Sequence, residues 1–269
     1  MVSAVRSSIS CYQRGRLDVE QSASPFSTER LAVMRAQYAP TSFDKETLLQ
    51  DRYLLAAEGR YRVYYAGLGA QPSLNARVIF VGLTPGFSQM QEAGRAFTET
   101  PAHVRNDPVA YSNILRHRVA FAGTMRRNLC GMLDALGFPA AFGIAESVQL
   151  FDEDRDDVSA TSALVLPVFV APDLHNFRGA GVDLAKVPLF RGMIEELLAP
   201  RLERADKALI VPLGVAAATG VRHLSEIGKV ADERVLAGMP HPSGSNGHRI
   251  PQFKANEASM RQRIAEWFN

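Results

Sequence analysis

Two short loops carry residue types suited to binding a ligand: Gly82-Leu83-Thr84-Pro85-Gly86 and His241-Pro242-Ser243-Gly244-Ser245-Asn246. A neutral imidazole such as that of His241 donates from one ring nitrogen and accepts at the other, and the hydroxyls of Thr84, Ser243 and Ser245 bond water or phosphate oxygens. This is hydrogen-bonding chemistry. Of the six histidines, only His241 and His248 stand close together, and no Cys joins them at a metal-ligand spacing, so no metal is expected. No glycine-rich phosphate loop with its lysine occurs, and no cofactor is expected. Taken singly, the first loop reads as a strand-to-turn junction. The second reads either as a ligand site or as a proline-rich turn around a structural histidine.

Loops of this kind must be held by rigid elements. Ala76 to Gly82 (ARVIFVG) is a short unbroken apolar run, the pattern of a strand buried on both faces of a parallel sheet. Ser162 to Val170, Ala208 to Leu213 and, more weakly, Val235 to Met239 share that character, although Pro167 and Pro212 each remove a ladder donor. Helical patterns at Thr124 to Leu136, Leu189 to Leu202, Val215 to Leu224 and Lys254 to Trp267 alternate with these strands. The alternation predicts a three-layer α/β/α sandwich around a central, mostly parallel four-stranded sheet. Both loops then sit directly after strands, where ligands bind in such sheets. Residues 1 to about 25 read as a loosely ordered arm, and Ser27 to Gly59 as two helices broken near Pro40 to Ser42. Residues 1–70 are thus an extension packed on a core domain of residues 71–269.

Composition bounds the setting. A chain of 269 residues, 46% hydrophobic, can bury a large core without staples. Two cysteines, Cys11 and Cys130, are too few for a disulfide framework, and no apolar run or leader pattern is present, so a cytoplasmic, membrane-free protein is expected. A monomer is expected as well. A net charge of +2 leaves nucleic-acid affinity to local patches. Between Pro108 and Leu133 lie Arg116, Arg118, Arg126 and Arg127 with no acid, forming either a phosphate-contacting surface or a solvated helical face.

In this order, each directly after a strand, the two loops resemble the signature loops of the uracil-DNA glycosylase superfamily, written GxxPG or GxDPY and HPSxxN or HPSPxx. Leu209 to Ala216 (LIVPLGVA) is similar to that family's penultimate strand and the turn after it. The resemblance covers roughly Ala76 to Asn269. It implies a DNA glycosylase that flips out a pyrimidine-type base and hydrolyses its N-glycosidic bond to leave an abasic site, with single- or double-stranded DNA as partner. By this likeness His241 is the donor beside the departing base, Thr84 holds the water, and Ser243 grips phosphate, with Gly244, Ser245 and Asn246 also on the DNA and Arg249 in place of the inserting wedge; Arg126 and Arg127, from the arginine run, are further DNA-contact candidates. Gly82, Leu83, Pro85 and Gly86 form the pocket wall. Phe97, 13 positions after Thr84, matches the spacing of the stacking aromatic, and Phe87 competes with it.

Three departures redirect the substrate. Thr84 stands where relatives carry Asp, Asn or Glu, and cannot accept a proton at neutral pH. Thr161, beside Ser162, stands where an Asn reads the pyrimidine edge, with Asn176 as a further lining candidate. Gly86 stands where strict uracil readers have Tyr, leaving room at C5 of the ring. Together these point to a modified or bulky pyrimidine, such as a hypermodified cytosine in phage DNA. The alternatives are a catalytically silent DNA-binding module with the same cleft, and a hydrolase of free nucleosides or nucleotides.

Overall fold

The computed structural model describes residues 24–68 and 71–269. Cys11 and nearly all of the expected arm lie outside them. Among the described residues the strands are β1 (Leu54–Glu58), β2 (Tyr61–Tyr64), β3 (Val78–Gly82), β4 (Val158–Ser162), β5 (Val168–Val170), β6 (His175–Asn176) and β7 (Leu209–Pro212). The helices are α1 (Thr28–Gln37), α2 (Lys45–Leu48), α3 (Phe87–Glu99), α4 (Ala102–Arg105), α5 (Pro108–Arg118), α6 (Thr124–Leu136), α7 (Phe138–Phe142), α8 (Pro188–Met193), α9 (Ala199–Arg204), α10 (Val215–Glu226) and α11 (Arg249–Phe268).

The central sheet is parallel, in the order β4-β3-β7. Every residue of β3 is buried, as its unbroken apolar run requires. Alternate side chains feed two core halves. Ile79, Val81 and Ile210 join residues of α3, α5, α8 and α10, while Val78, Phe80, Leu209 and Val211 join residues of α6, α7 and α11. The result is the expected three-layer sandwich.

The expected fourth strand is a correction. Val235 makes a single parallel bridge to Ile210, and Leu236 donates to the Ile210 carbonyl at 2.8 Å, but no regular strand forms. A 3₁₀ turn at Asp232–Arg234 precedes the bridge, and Gly238 follows it at φ +98°, so the extended run has no length. The second strand is also displaced. Val158–Ser162 enters the parallel sheet, whereas Val168–Val170, beyond the break at Pro167, joins a separate antiparallel sheet of order β1-β2-β5-β6.

That second sheet takes over the end of the second expected amino-terminal helix, of which only α2 forms. Leu54 and Leu55 open a hairpin with Tyr61–Tyr64, turning at Gly59, whose φ of +52° suits glycine. Helix α1 does form, opened by Ser27, whose hydroxyl accepts from the Arg30 amide. Among the described residues, no helix is long and apolar enough to cross a membrane.

Candidate active site

Gly82 and Ser162 end their strands in register. Beyond them the chains diverge around a cavity of about 660 Å³, bounded by β4, α5, the turn at Phe121 and the loop after β6. Gly82, Leu83, Thr84, Pro85, Gly86, Thr161, Ser162, Asn176, His241, Ser243, Ser245 and Asn246 line it, so loops 160 residues apart in sequence meet in one place.

The first loop is tied down by side chains. Thr84 Oγ1 donates to the Leu166 carbonyl at 3.0 Å and accepts from the Val168 amide at 3.2 Å. One lone pair of its hydroxyl remains, enough to accept a hydrogen bond from water but not a proton. Gly86 donates its amide to Gln89 Oε1 at 2.7 Å as α3 begins, and Asn176 Oδ1 accepts from the Phe87 amide at 2.9 Å. That bond sets the Asn176 amide, whose Nδ2 donors have no partner among the described residues. Gly86 lines the cavity, but a side chain on it would have little room. A Cβ there would stand 3.0 Å from Gln89 Oε1 and 3.3 Å from Asn176 Nδ2.

The second loop is built around His241. Gly214, at φ +90°, lies so close that a Cβ on it would stand 2.8 Å from His241 Cβ. Its amide donates to the Met239 carbonyl at 2.9 Å, which pins the loop to the end of β7. Asn246 Nδ2 donates to the His241 carbonyl, and Asn128 of α6 donates to the Pro242 carbonyl. The Ser243 amide donates to His241 Nδ1 at 3.2 Å, so Nδ1 must be unprotonated and the neutral ring carries its hydrogen on Nε2. Burial holds the imidazole pKa below its ordinary value and favours this neutral form. Ser243 Oγ is in contact with Ser245 Oγ at 2.8 Å and accepts from the Ser245 amide.

Several expected site residues stand elsewhere. Phe97 is buried among Tyr38, Tyr111 and the Arg105 guanidinium, the last 4.4 Å from its ring, and does not line the cavity. Phe87 faces Phe169 and Lys45 and does not line it either. The aromatic lining comes instead from Phe121 and Phe177. Phe121 is held at φ +53°, rare for a bulky residue, and its ring would contact a Cβ on Gly82 at 3.0 Å. Nothing in the sequence announces that backbone state. Phe177 follows Asn176 directly.

The arginine surface is corrected too. Arg126 donates to the Arg116, His117 and Ala120 carbonyls at the end of α5, Arg116 is buried, and Arg118 pairs with Glu92 and Glu99. These groups are spent on helix ends and acids, leaving Arg127 exposed. Arg249 donates to the Ser243 carbonyl at 3.1 Å, which braces the loop, and Gly244 is exposed outside the cavity. Arg178, which the sequence reading did not single out, lines the cavity. No Asp or Glu is among the described lining residues.

Compared with known proteins, the chain is similar to the Uncharacterized protein YoxB of Bacillus subtilis (strain 168), at 32% identity over 233 residues covering 86% of this chain and 89% of that relative. Residues 69–267 match the family described as Uracil DNA glycosylase superfamily. That match spans both loops, the sheet between them and nearly all of α11, and the chain belongs to the uracil DNA glycosylase superfamily.

Proposed function

We propose that this chain is a monofunctional DNA glycosylase that excises a modified or bulky pyrimidine in preference to plain uracil. The carrying observation is the tautomer of His241, whose Nδ1 is occupied by the Ser243 amide. Its Nε2–H is then available as a fixed donor in a cavity with no Asp or Glu among its described lining residues. As the bond between the sugar C1′ and the base nitrogen breaks, its electron pair leaves with the base, and the Nε2–H bonds the oxygen that gathers the negative charge. Removing one such donor typically costs on the order of 10²- to 10³-fold in rate. Water adds to C1′ and gives up a proton, which the departing base anion takes up, giving neutral free base and an abasic sugar. Thr84 accepts a hydrogen bond from that water.

Phe121 and Phe177 supply the stacking faces, and the Asn176 Nδ2 donors meet the base or its substituent. Thr161 and Ser162 border the base edge, while Ser243, Ser245 and Asn246 face the DNA backbone. A cavity of about 660 Å³ favours a base larger than uracil, since such a volume holds ligands of drug size. Single-turnover excision on oligonucleotides with uracil, 5-hydroxymethyluracil, 5-hydroxymethylcytosine and glucosylated 5-hydroxymethylcytosine tests this reading. Cleavage confined to plain uracil would reject the substrate preference.

The absence of a lining carboxylate also favours a second reading, a DNA-binding module without excision activity. His241→Ala separates the two. An enzyme loses excision while keeping DNA binding, whereas a silent module has no excision to lose.

A further inference from the structure

The cavity extends well past His241. Ile79 and Ser159, which also line it, pair in register three residues before Gly82 and Ser162. At ~3.3 Å per residue it therefore runs about 10 Å along β4. Pro72, Ser112 and Arg201 belong to its lining as well. Helix α9, which carries Arg201, leads into the start of β7, at the end of the sheet opposite His241.

Three buried arginines allow a comparison. Arg116 donates to the carbonyls of Leu150, Asp152 and Arg155, and Arg234 to those of Leu202, Ala205 and Ala208. Arg234 is spent on backbone oxygens, and Arg116 uses both terminal nitrogens of its fork in this way, leaving only its buried Nε without a partner. Arg201 donates only to the Leu197 carbonyl, one turn back, and among the described residues its other N–H groups have no acceptor and no carboxylate pairs with it. Burial alone pushes its guanidinium down to about 10, with no charged neighbour contributing. A π-helical stretch, Ile194–Leu198, directly precedes α9, and such bulges recur at functional sites. An unpaired buried cation is costly, and its planar fork matches a carboxylate or phosphate group.

We propose that Arg201 forms an anion subsite at the inner end of the cavity, which takes a carboxylate or phosphate group. Two sources share that chemistry. One is an acidic arm on the flipped base, long enough to reach inward, and this source rests on the glycosylase reading. The other is a free anion bound beneath the base.

Two measurements on the full chain distinguish them. The first compares single-turnover excision of uracil carrying a propionate arm at C5 with its neutral propionamide counterpart. The wild type should favour the acid by about tenfold or more, the scale of a hydrogen bond to a charged group. Arg201→Gln should abolish that preference, and Arg201→Lys, which keeps the charge, should retain part of it. The second follows thermal unfolding in increasing inorganic phosphate. A saturable rise in melting temperature is expected for the wild type and not for Arg201→Gln, whose folding is checked by circular dichroism. A phosphate response without an acid preference assigns the subsite to a free anion. Absence of both responses in the wild type, or their persistence in Arg201→Gln, overturns the proposal. If the wild type excises no base at all, the glycosylase reading fails and the phosphate measurement alone decides the subsite.

Discussion

At His241, one backbone hydrogen bond determines which ring nitrogen carries the hydrogen, because the Ser243 amide occupies Nδ1. Protonation would put a hydrogen on Nδ1 and break that bond. Burial lowers the pKa from 6.5, so the unfolded chain takes up the proton first as pH falls. In the window below 6.5 the unfolded state binds more protons, and this residue's contribution to stability declines with falling pH. Excision should therefore be flat near neutrality and lost on an acid limb below the ordinary histidine value; a rate that rises on acidification would contradict a neutral donor. His241→Ala should lower single-turnover excision on the order of 10²- to 10³-fold, with oligonucleotide affinity largely kept.

The elements matter because they hold these side chains without slack. Gly214 closes β7 at φ +90° with no room for a Cβ beside His241. Gly214→Ala should therefore cost about 1–3 kcal/mol in thermal or denaturant unfolding and displace the histidine, so that excision falls as well. An alanine variant with wild-type stability and rate would show that the contact is slack. Thr84 ties the first loop to the segment between β4 and β5 by two hydrogen bonds. Thr84→Val should destabilise by about 1–2 kcal/mol, while Thr84→Ser, which keeps the hydroxyl, should recover most of that loss. Equal stability of the two variants would argue against the tie. The antiparallel sheet acts at this scale too, since β6 delivers Asn176 to the cavity wall.

Across the molecule, α5 and the 150–155 segment are joined through one buried cation. Arg116 satisfies carbonyls at Leu150, Asp152 and Arg155, and burial lowers its pKa to about 10. Arg116→Met leaves the buried Leu150 carbonyl without this donor and the part-buried bonds to Asp152 and Arg155 unmade, at a cost of about 3 kcal/mol. The melting temperature should fall by roughly 6–12 °C, at about 2–4 °C per kcal/mol for a domain of this size. A drop of a degree or less would mean that water replaces the arginine. The sequence by itself marked β3 and β7 of the parallel core, since short unbroken apolar runs bounded by turn residues fit strands buried on both faces, but not β4, whose residues Val158–Ser162 precede the expected run. It also marked both loops that line the cavity, because their prolines, glycines and hydroxyls are local signals directly after apolar runs. It misassigned Leu54–Glu58, where apolar spacing over a few residues does not distinguish a helix from a hairpin whose partner strand lies elsewhere. Only the tertiary structure decided that Phe97 is core and Phe121 lining, that Arg126 is spent on a helix end, and that among the described residues Arg201 keeps only the Leu197 carbonyl. Those outcomes depend on which atoms distant segments bring within a few ångströms, and residue type and spacing along one chain do not encode that distance.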